Sequence, residues 1–84
     1  MNPEDIDQRL AEVAGAVLGV DSDVMTDSSS PETLDSWTSL THLSLIAAVE
    51  EAFAIHLNVS DIYAAQSLGG LRRIVHEYLA RDAR

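Results

Sequence analysis

The sequence predicts an all-α fold, a small antiparallel bundle of three main helices and a short one, third in order, with a long loop after the first helix. Apolar residues recur at helical spacing in three stretches of the chain, which indicates three amphipathic helices. A long segment rich in Asp, Ser, Thr and Pro separates the first two stretches. With 84 residues and no internal repeat, the chain is expected to form a single domain over residues 1–84.

The first helix is predicted over residues 3–19. Pro3 suits the first turn of a helix, and the acidic residues after it lie where the positive end of the helix dipole favours them. Gly19 is the expected end, because glycine readily adopts the left-handed conformation that closes a helix. One apolar stripe at helical spacing is expected to be buried. It comprises Ile6, Leu10, Val13 and Val17.

The segment Asp21–Thr38 is predicted to be a loop, because its Asp, Ser, Thr and Pro residues compete for backbone hydrogen bonds. A loop this long inside a compact domain is functional or partly mobile. We expect it to be tethered to the core, with its most flexible part at Asp27–Pro31. The apolar residues that would hold it are Val24, Met25, Leu34 and Trp37.

The second helix is predicted from Ser39 to about Ala54. At 100° per residue, one face is apolar and is expected to form the core. It holds His42, Leu45, Ile46, Val49 and Phe53. A second face combines apolar and acidic side chains, and a helix that exposes both is a candidate docking surface for another protein. That face holds Leu40, Leu43, Ser44, Ala47, Glu50 and Glu51.

A short third helix is predicted over Asp61–Ala65, capped by Asn58 or Ser60, with Ile62 and Tyr63 turned inward.

The fourth helix is predicted from Leu68 to about Ala80, after Ser67 as its N-cap. Arg81 and Arg84 suit a helix C-terminus. The arc expected to be buried holds Leu68, Leu71, Ile74, Val75, Tyr78 and Leu79, and the residues expected to face water are Arg72, Arg73 and Glu77.

Composition excludes several function classes. Fourteen acidic residues against five arginines, with no lysine, give a net charge of −9, so nucleic acid is excluded as a partner and basic protein surfaces are favoured. The chain has no cysteine, so a disulfide, a thiolate nucleophile and a zinc site built from cysteines are excluded. Its three histidines are scattered along the sequence, so we expect no bound metal. No secretory signal opens the chain and no apolar run reaches membrane-spanning length, so we expect a cytoplasmic protein without membrane insertion.

The run from Trp37 to Phe53 reads W-T-S-L-T-H-L-S-L-I-A-A-V-E-E-A-F. It resembles the pattern W-D-S-L-x-H-L-x-L-I-x-A-L-E-E-x-F of the acyl carrier protein family, and the predicted order of helices resembles that family's architecture. The resemblance implies a carrier domain with an acyl-carrier-protein-like fold. It also implies that Ser39 carries covalent 4'-phosphopantetheine, whose terminal thiol holds an acyl or aminoacyl group as a thioester.

The resemblance also implies partners, namely a phosphopantetheinyl transferase and acyl- or aminoacyl-loading and processing enzymes with basic docking patches. The second face of the second helix is the expected docking surface. Its residues are Leu40, Leu43, Ala47, Glu50 and Glu51. Simple solvation is the other explanation of the two glutamates. The carrier itself is expected to be a monomer.

Two alternatives concern the serine. Ser39 has an ordinary explanation as the N-cap of the second helix. Ser36 also follows an aspartate, but choosing it would put Leu40 and Leu43 out of register with the family pattern, so we reject it. Thr38 departs from the pattern, which has Asp there. A threonine caps a helix but offers no carboxylate to a transferase or its metal.

His42 is expected on the core side of the second helix, below Ser39, and it has two interpretations. One is a partly buried histidine that is hydrogen-bonded to the loop. The other is a residue that lines the entrance of a cavity between helices, where a bound chain would lie.

Three function classes follow. The first is a discrete acyl carrier protein for fatty acid, polyketide or related specialised biosynthesis. An aminoacyl or peptidyl carrier of a nonribosomal-peptide-type pathway is the alternative, and an unmodified helical interaction module is the third. An enzyme is not expected, because paired carboxylates, metal-ligand spacing and a nucleophile with its base are all missing from the sequence.

Overall fold

The computed structural model describes residues 2–82, and within that range the chain is all-helical, without a β-strand. Its helices are α1 (Pro3–Leu18), α2 (Ser39–Phe53), α3 (Val59–Ala64) and α4 (Leu68–Asp82), and a 3₁₀ turn at Ser22–Val24 lies in the long loop. The all-α prediction is confirmed, with each helix boundary within about two residues of its expected place. Arg84, expected to suit the end of the last helix, lies outside the described residues.

Local side chains and glycines set the ends of α1. Asn2 is its N-cap and accepts a hydrogen bond from the backbone N–H of Asp5 at 3.1 Å. Gly19 closes the helix at φ 72°, in the left-handed region that glycine enters without a steric penalty. Gly15 is needed for a close approach, since a Cβ there would lie 2.6 Å from the backbone oxygen of Val20. The chain leaving α1 therefore folds back tightly over its last turn.

The helices and the long loop share one apolar core. Helices α1 and α2 contribute Ile6, Leu10, Ala14, Leu18, Leu45, Ile46, Val49 and Phe53. The rest of the chain contributes Met25, Trp37, Ile55, Leu57, Ala65, Leu68, Leu71 and Val75.

Two predicted core residues of α1, Val13 and Val17, are only partly buried. Both line a shallow groove between α1 and α2, whose opposite wall includes Ala48 and Ala52. Because alanine side chains are too short to cover the valines, the fully buried positions of α1 are taken by Ala14 and Leu18 instead. Helical spacing therefore identified the face of α1 that packs on the core, but not which residues of that face are fully buried.

The long loop is tethered to the core as expected, although not by all the residues predicted. Met25 and Trp37 are buried and Leu34 is partly buried, whereas Val24 is 61% exposed. Val24 ends the 3₁₀ turn, which directs its side chain to the surface.

The stretch Asp27–Pro31 was predicted to be the most flexible part of the loop, but the structure anchors it to the start of α4. The backbone N–H of Leu68 donates to the Ser29 carbonyl at 2.8 Å, and that of Gly69 donates to the Asp27 carbonyl at 2.9 Å. The Asp27 carboxylate also binds the Arg72 guanidinium at 2.9 Å, so Arg72 does not simply face water. The first N–H groups of a helix lack partners within the helix, and here the loop supplies them.

The last two helices differ in how they are held. In α4, Leu68, Leu71 and Val75 are buried, and Ser67 accepts a hydrogen bond from the Gly70 N–H at 3.0 Å, as expected of its N-cap. The other apolar residues of its predicted arc, Ile74, Tyr78 and Leu79, are partly buried.

Helix α3 is capped by Asn58 and has no fully buried residue. Ile62 packs partly against the core. Tyr63, predicted to turn inward, is 73% exposed, because a helix this short contacts the bundle along one side only. The cap prediction is confirmed for Asn58, and the inward prediction is wrong for Tyr63.

Candidate functional site

Ser39 is the first residue of α2 and is exposed, with the end of the long loop directly before it. Thr38 is the N-cap, and its side chain accepts a hydrogen bond from the Thr41 N–H at 3.2 Å. The Thr41 hydroxyl oxygen in return accepts from the Thr38 N–H at 2.7 Å, which completes a capping box. The alternative in which Ser39 caps the helix is therefore wrong, and the Ser39 hydroxyl has no capping role.

The second hydroxyl of the capping box also fixes the loop before Ser39. Thr41 Oγ1 donates to the carbonyl oxygen of Ser36 at 2.6 Å. Ser36 itself lies in the loop, before the helix begins, and not at the helix N-terminus. The two serines therefore differ in position, and only Ser39 lies at the start of α2.

His42 connects the loop, α2 and α3 below Ser39. Its Nδ1 accepts a hydrogen bond from the indole N–H of Trp37 at 3.0 Å, and its Nε2 lies 2.9 Å from the carbonyl oxygen of Ile62. Because Nδ1 accepts, the ring is neutral with its proton on Nε2, which donates to Ile62. The two rings are stacked, with centroids 6.1 Å apart.

A cavity of about 600 Å³ opens beside Ser39, between the loop, α2 and α3. Most of its wall is apolar. Its lining includes Trp37, Ser39, His42, Leu43, Ile62 and Tyr63. The two interpretations of His42 are thus compatible, since the ring is hydrogen-bonded to the loop and also lines the cavity.

The residues predicted to form the docking face divide into two groups. Leu40 and Leu43 are 75% and 61% exposed, and Ala47 and Glu51 are also exposed. Glu50 is different.

The side chain of Glu50 is 26% exposed, and its Oε2 accepts a hydrogen bond from the backbone N–H of Leu57 at 2.9 Å. His56 Nδ1 lies 3.9 Å from the same oxygen but is almost fully exposed. Glu50 therefore stabilises the connection from α2 to α3, while Glu51 is the freely exposed carboxylate of the pair.

The surroundings of Ser39 carry no formal charge along α2. No Asp, Glu, Lys or Arg occurs from Ser36 to Val49, and the first turn of α2 has no acidic residue. An anionic group on Ser39 would meet the positive end of the α2 dipole, with no carboxylate in the first turn of that helix. Among residues 2–82, no group of three or more His, Cys, Asp or Glu could hold a metal ion. None of the helices in that range is long and apolar enough to cross a membrane.

Two parts of the site were missed from the sequence. Trp37 was predicted only to anchor the loop, and not to donate a hydrogen bond to His42. The hydrogen bond between His42 and the Ile62 carbonyl had no signal in the sequence, because every residue has a backbone carbonyl. The spacing Trp37–His42 offered a usable clue, since an indole N–H buried near a histidine needs an acceptor.

Comparisons with known proteins agree with this geometry. Residues 8–75 match the family described as phosphopantetheine attachment site. The fold is similar to the solution NMR structure of a holo acyl carrier protein from Geobacter metallireducens, with a TM-score of 0.82 and 28% sequence identity over 92% of this chain and 88% of that chain. No curated protein matches the chain.

Proposed function

This chain belongs to the phosphopantetheine attachment site family, with an acyl carrier protein fold, and we propose that Ser39 is its attachment residue. A carrier of this family is not an enzyme, and its cofactor is covalent 4'-phosphopantetheine. The terminal thiol of that group holds a cargo as a thioester. The chain has no cysteine, so the prosthetic thiol is the one thiol available for cargo.

The observation that carries the proposal is the exposed Ser39 at the start of α2, with the cap made by its neighbour. A hydroxyl with no capping role is available to a modifying enzyme. The helix N-terminus and the charge-free first turn suit the negative phosphodiester that modification would attach. The residues present therefore fit the group.

We propose an acyl group as the cargo, in fatty acid, polyketide or related specialised biosynthesis. The cavity beside Ser39 supports this, because its wall is mostly apolar and the ring nitrogens of Trp37 and His42 are already hydrogen-bonded. An aminoacyl cargo would bring an ammonium group that finds no carboxylate among the lining residues. The aminoacyl or peptidyl carrier is the weaker alternative.

The remaining features of the proposal stay predictions. Residues 1–84 would form one carrier domain, monomeric and acting in the cytoplasm. Loading and processing enzymes with basic patches would contact the exposed face of α2 at Leu40, Leu43, Ala47 and Glu51. Glu50 contributes less to such contacts, because its carboxylate is bonded to Leu57.

The experiment is modification of the purified chain with a broad-specificity phosphopantetheinyl transferase, coenzyme A and Mg²⁺, read by intact-protein mass spectrometry. We expect one pantetheinyl adduct on the wild type and on Ser36→Ala, and none on Ser39→Ala. An adduct that persists in Ser39→Ala would refute the assignment to Ser39. A wild type without an adduct would count against the carrier function.

A further inference from the structure

The hydroxyl of Thr41 bonds to both ends of the backbone segment that leads into Ser39. It accepts a hydrogen bond from the Thr38 N–H at 2.7 Å and donates to the Ser36 carbonyl oxygen at 2.6 Å. A threonine hydroxyl has a single hydrogen, so the bond to Ser36 uses its whole capacity as a donor. One side chain of the first turn of α2 therefore fixes residues 36–38, which directly precede Ser39.

Other bonds hold the middle of this segment. The Trp37 N–H donates to the Leu34 carbonyl oxygen at 3.0 Å, and the Thr38 carbonyl oxygen accepts from the His42 N–H at 2.8 Å. The Trp37 side chain is buried in the core. Trp37 therefore anchors the segment to the body of the protein, while Thr41 sets its direction relative to the first turn of α2.

The two bonds of the Thr41 hydroxyl lie at the surface. Ser36 and Thr38 are exposed, and Thr41 is half-buried. Water replaces a lost hydrogen bond at the surface, so loss of the hydroxyl has a modest effect on the stability of the whole fold. Its larger effect is local, because the first N–H groups of a helix have no partner within the helix and depend on the cap for their order. Without the hydroxyl, the turn that begins at Ser39 would loosen.

We propose that Thr41 is a positioning residue for the modification of Ser39, and that it acts by fixing the backbone from which the Ser39 hydroxyl is presented. The inference rests on the proposed function. In that reaction the Ser39 oxygen forms a bond to the phosphorus of the pantetheinyl phosphate of coenzyme A. The P–O bond to adenosine 3',5'-bisphosphate breaks, the bonding pair leaves with that group, and the serine proton passes to water. A nucleophile that is already oriented reacts faster, since less order has to be imposed on binding.

The test compares four variants. Thr41→Val and Thr41→Ala both lack the hydroxyl. The valine keeps the branched shape of threonine, and the alanine has the higher helix propensity. Thr41→Ser keeps the hydroxyl and loses the methyl group. Asn2→Ala is the matched control, because Asn2 is also an N-cap whose side chain accepts from a backbone N–H, that of Asp5 at 3.1 Å, but it caps α1. Far-UV circular dichroism and thermal unfolding verify that each variant is folded.

The first readout is pantetheinyl transfer by a broad-specificity transferase at saturating coenzyme A. We expect kcat to fall by about tenfold in Thr41→Val and in Thr41→Ala, with KM changed by less than about threefold, because the exposed face of α2 beyond its first turn is intact. Thr41→Ser and Asn2→Ala keep kcat within about twofold of the wild type, although Asn2→Ala also loses a cap and unfolds at a lower temperature.

The second readout needs no transferase. The heteronuclear ¹H–¹⁵N NOE of backbone amides reports motion on the picosecond to nanosecond timescale. We expect its value at residues 37–39 to fall in Thr41→Val, to recover in Thr41→Ser and to be unchanged in Asn2→Ala. Leu45, buried in the middle of α2, keeps its wild-type value in all variants. Unchanged values at residues 37–39 in Thr41→Val would overturn the inference, whatever the kcat.

A folded Thr41→Val protein with wild-type kcat would also overturn the inference. The same holds for a Thr41→Ser protein as slow as Thr41→Val, since the methyl group and not the hydroxyl would then be required. An equal fall of kcat in Asn2→Ala contradicts it too, because a general loss of stability would explain both. Each of these results leaves Ser39 modified, so the proposed function would survive. A wild type that acquires no pantetheinyl adduct removes the proposed function and the inference with it.

Discussion

At the scale of single residues, the neutral ring of His42 does more than the sequence suggested. It accepts from Trp37 and donates to Ile62, so one side chain joins the loop before Ser39 to α3. Trp37 is buried, at 2% exposure, and its indole N–H donates to the His42 ring at 3.0 Å. Loss of the histidine would leave a buried donor without an acceptor, which costs about 1–3 kcal/mol.

The prediction for His42 follows from that cost. His42→Phe keeps a ring of similar size but loses both hydrogen bonds, so we expect its free energy of unfolding to fall by about 2 kcal/mol. His42→Gln keeps one acceptor and one donor and is expected to lose less. Urea unfolding followed by the fluorescence of Trp37 measures both. A His42→Phe protein as stable as the wild type would show that the two hydrogen bonds are not needed.

Thr38 is the residue at which this chain departs from the family pattern, and the structure gives its role. Its side chain and that of Thr41 cap α2 reciprocally, so the helix loses no N-cap by lacking Asp at this position. Neither residue brings a negative charge next to Ser39. Thr38 in place of Asp therefore affects binding by any partner that requires a carboxylate at this position, and it does not affect the capping of α2.

At the scale of secondary-structure elements, the end of α2 holds a residue in an unfavourable conformation. Ala54 closes the helix with φ 54° and ψ 47°, in the left-handed region where a side chain is strained. Its N–H and that of Ile55 both bond to the Glu50 carbonyl, which closes the helix as glycine does elsewhere. The strained residue therefore lies at the C-terminal end of α2, the helix that begins at Ser39.

Ala54→Gly should relieve this strain. Glycine adopts the left-handed conformation freely, and we expect the free energy of unfolding to rise by about 0.5–1 kcal/mol after the larger entropy of the unfolded chain is deducted. Ala47→Gly, on the exposed face of the same helix, is the control and should lower it by about 1 kcal/mol. Denaturant unfolding measures both. Equal destabilisation by the two changes would contradict the role assigned to Ala54.

At the scale of the whole molecule, side-chain bonds join α4 to α1, to the long loop and to α3. His76 Nε2 lies 2.6 Å from the Asp7 carboxylate of α1, and Arg72 binds Asp27 of the loop. The Tyr78 hydroxyl donates to Asp61 of α3 and accepts from the Asn58 N–H at 3.3 Å. Helix α3 has no fully buried residue. The hydrogen bonds that Tyr78 makes to Asp61 and His42 makes to Ile62 therefore contribute much to holding α3 against the rest of the fold.

The attachment of α3 therefore depends on the protonation of Tyr78. The hydrogen bond to the Asp61 carboxylate raises the pKa of Tyr78 above its ordinary value of about 10. A raised pKa in the folded state means that this contribution to stability is complete below about pH 10 and is lost as pH rises through the folded value. We expect the stability of the wild type to fall more steeply than that of Tyr78→Phe above about pH 10.

Urea unfolding at about pH 8 and about pH 11 checks this prediction, and spectrophotometric titration of a Tyr63→Phe protein follows the one remaining phenol. If Tyr78 titrates at or below the value of free tyrosine, its bond to Asp61 does not hold α3. Parallel loss of stability in the wild type and in Tyr78→Phe would have the same meaning.

The sequence by itself determined the four helices, the start of α2 at Ser39 and the cap at Ser67, and it left Asn58 and Ser60 as the two candidate caps of α3. These depend on local physics, because helical periodicity and capping involve residues within about one turn of each other. The family resemblance of the run Trp37–Phe53 added the chemistry proposed for Ser39.

Only the tertiary structure decided which residues meet across the chain. Asp7 and His76 are 69 positions apart, and nothing local in either helix indicates that they pair. The partial burial of Val13 and the exposure of Tyr63 depend on the size and length of the elements packed against them. Periodicity gives the direction of a side chain, but its burial and its partner are set by whatever lies opposite, and in this protein that includes the apolar surface around Ser39.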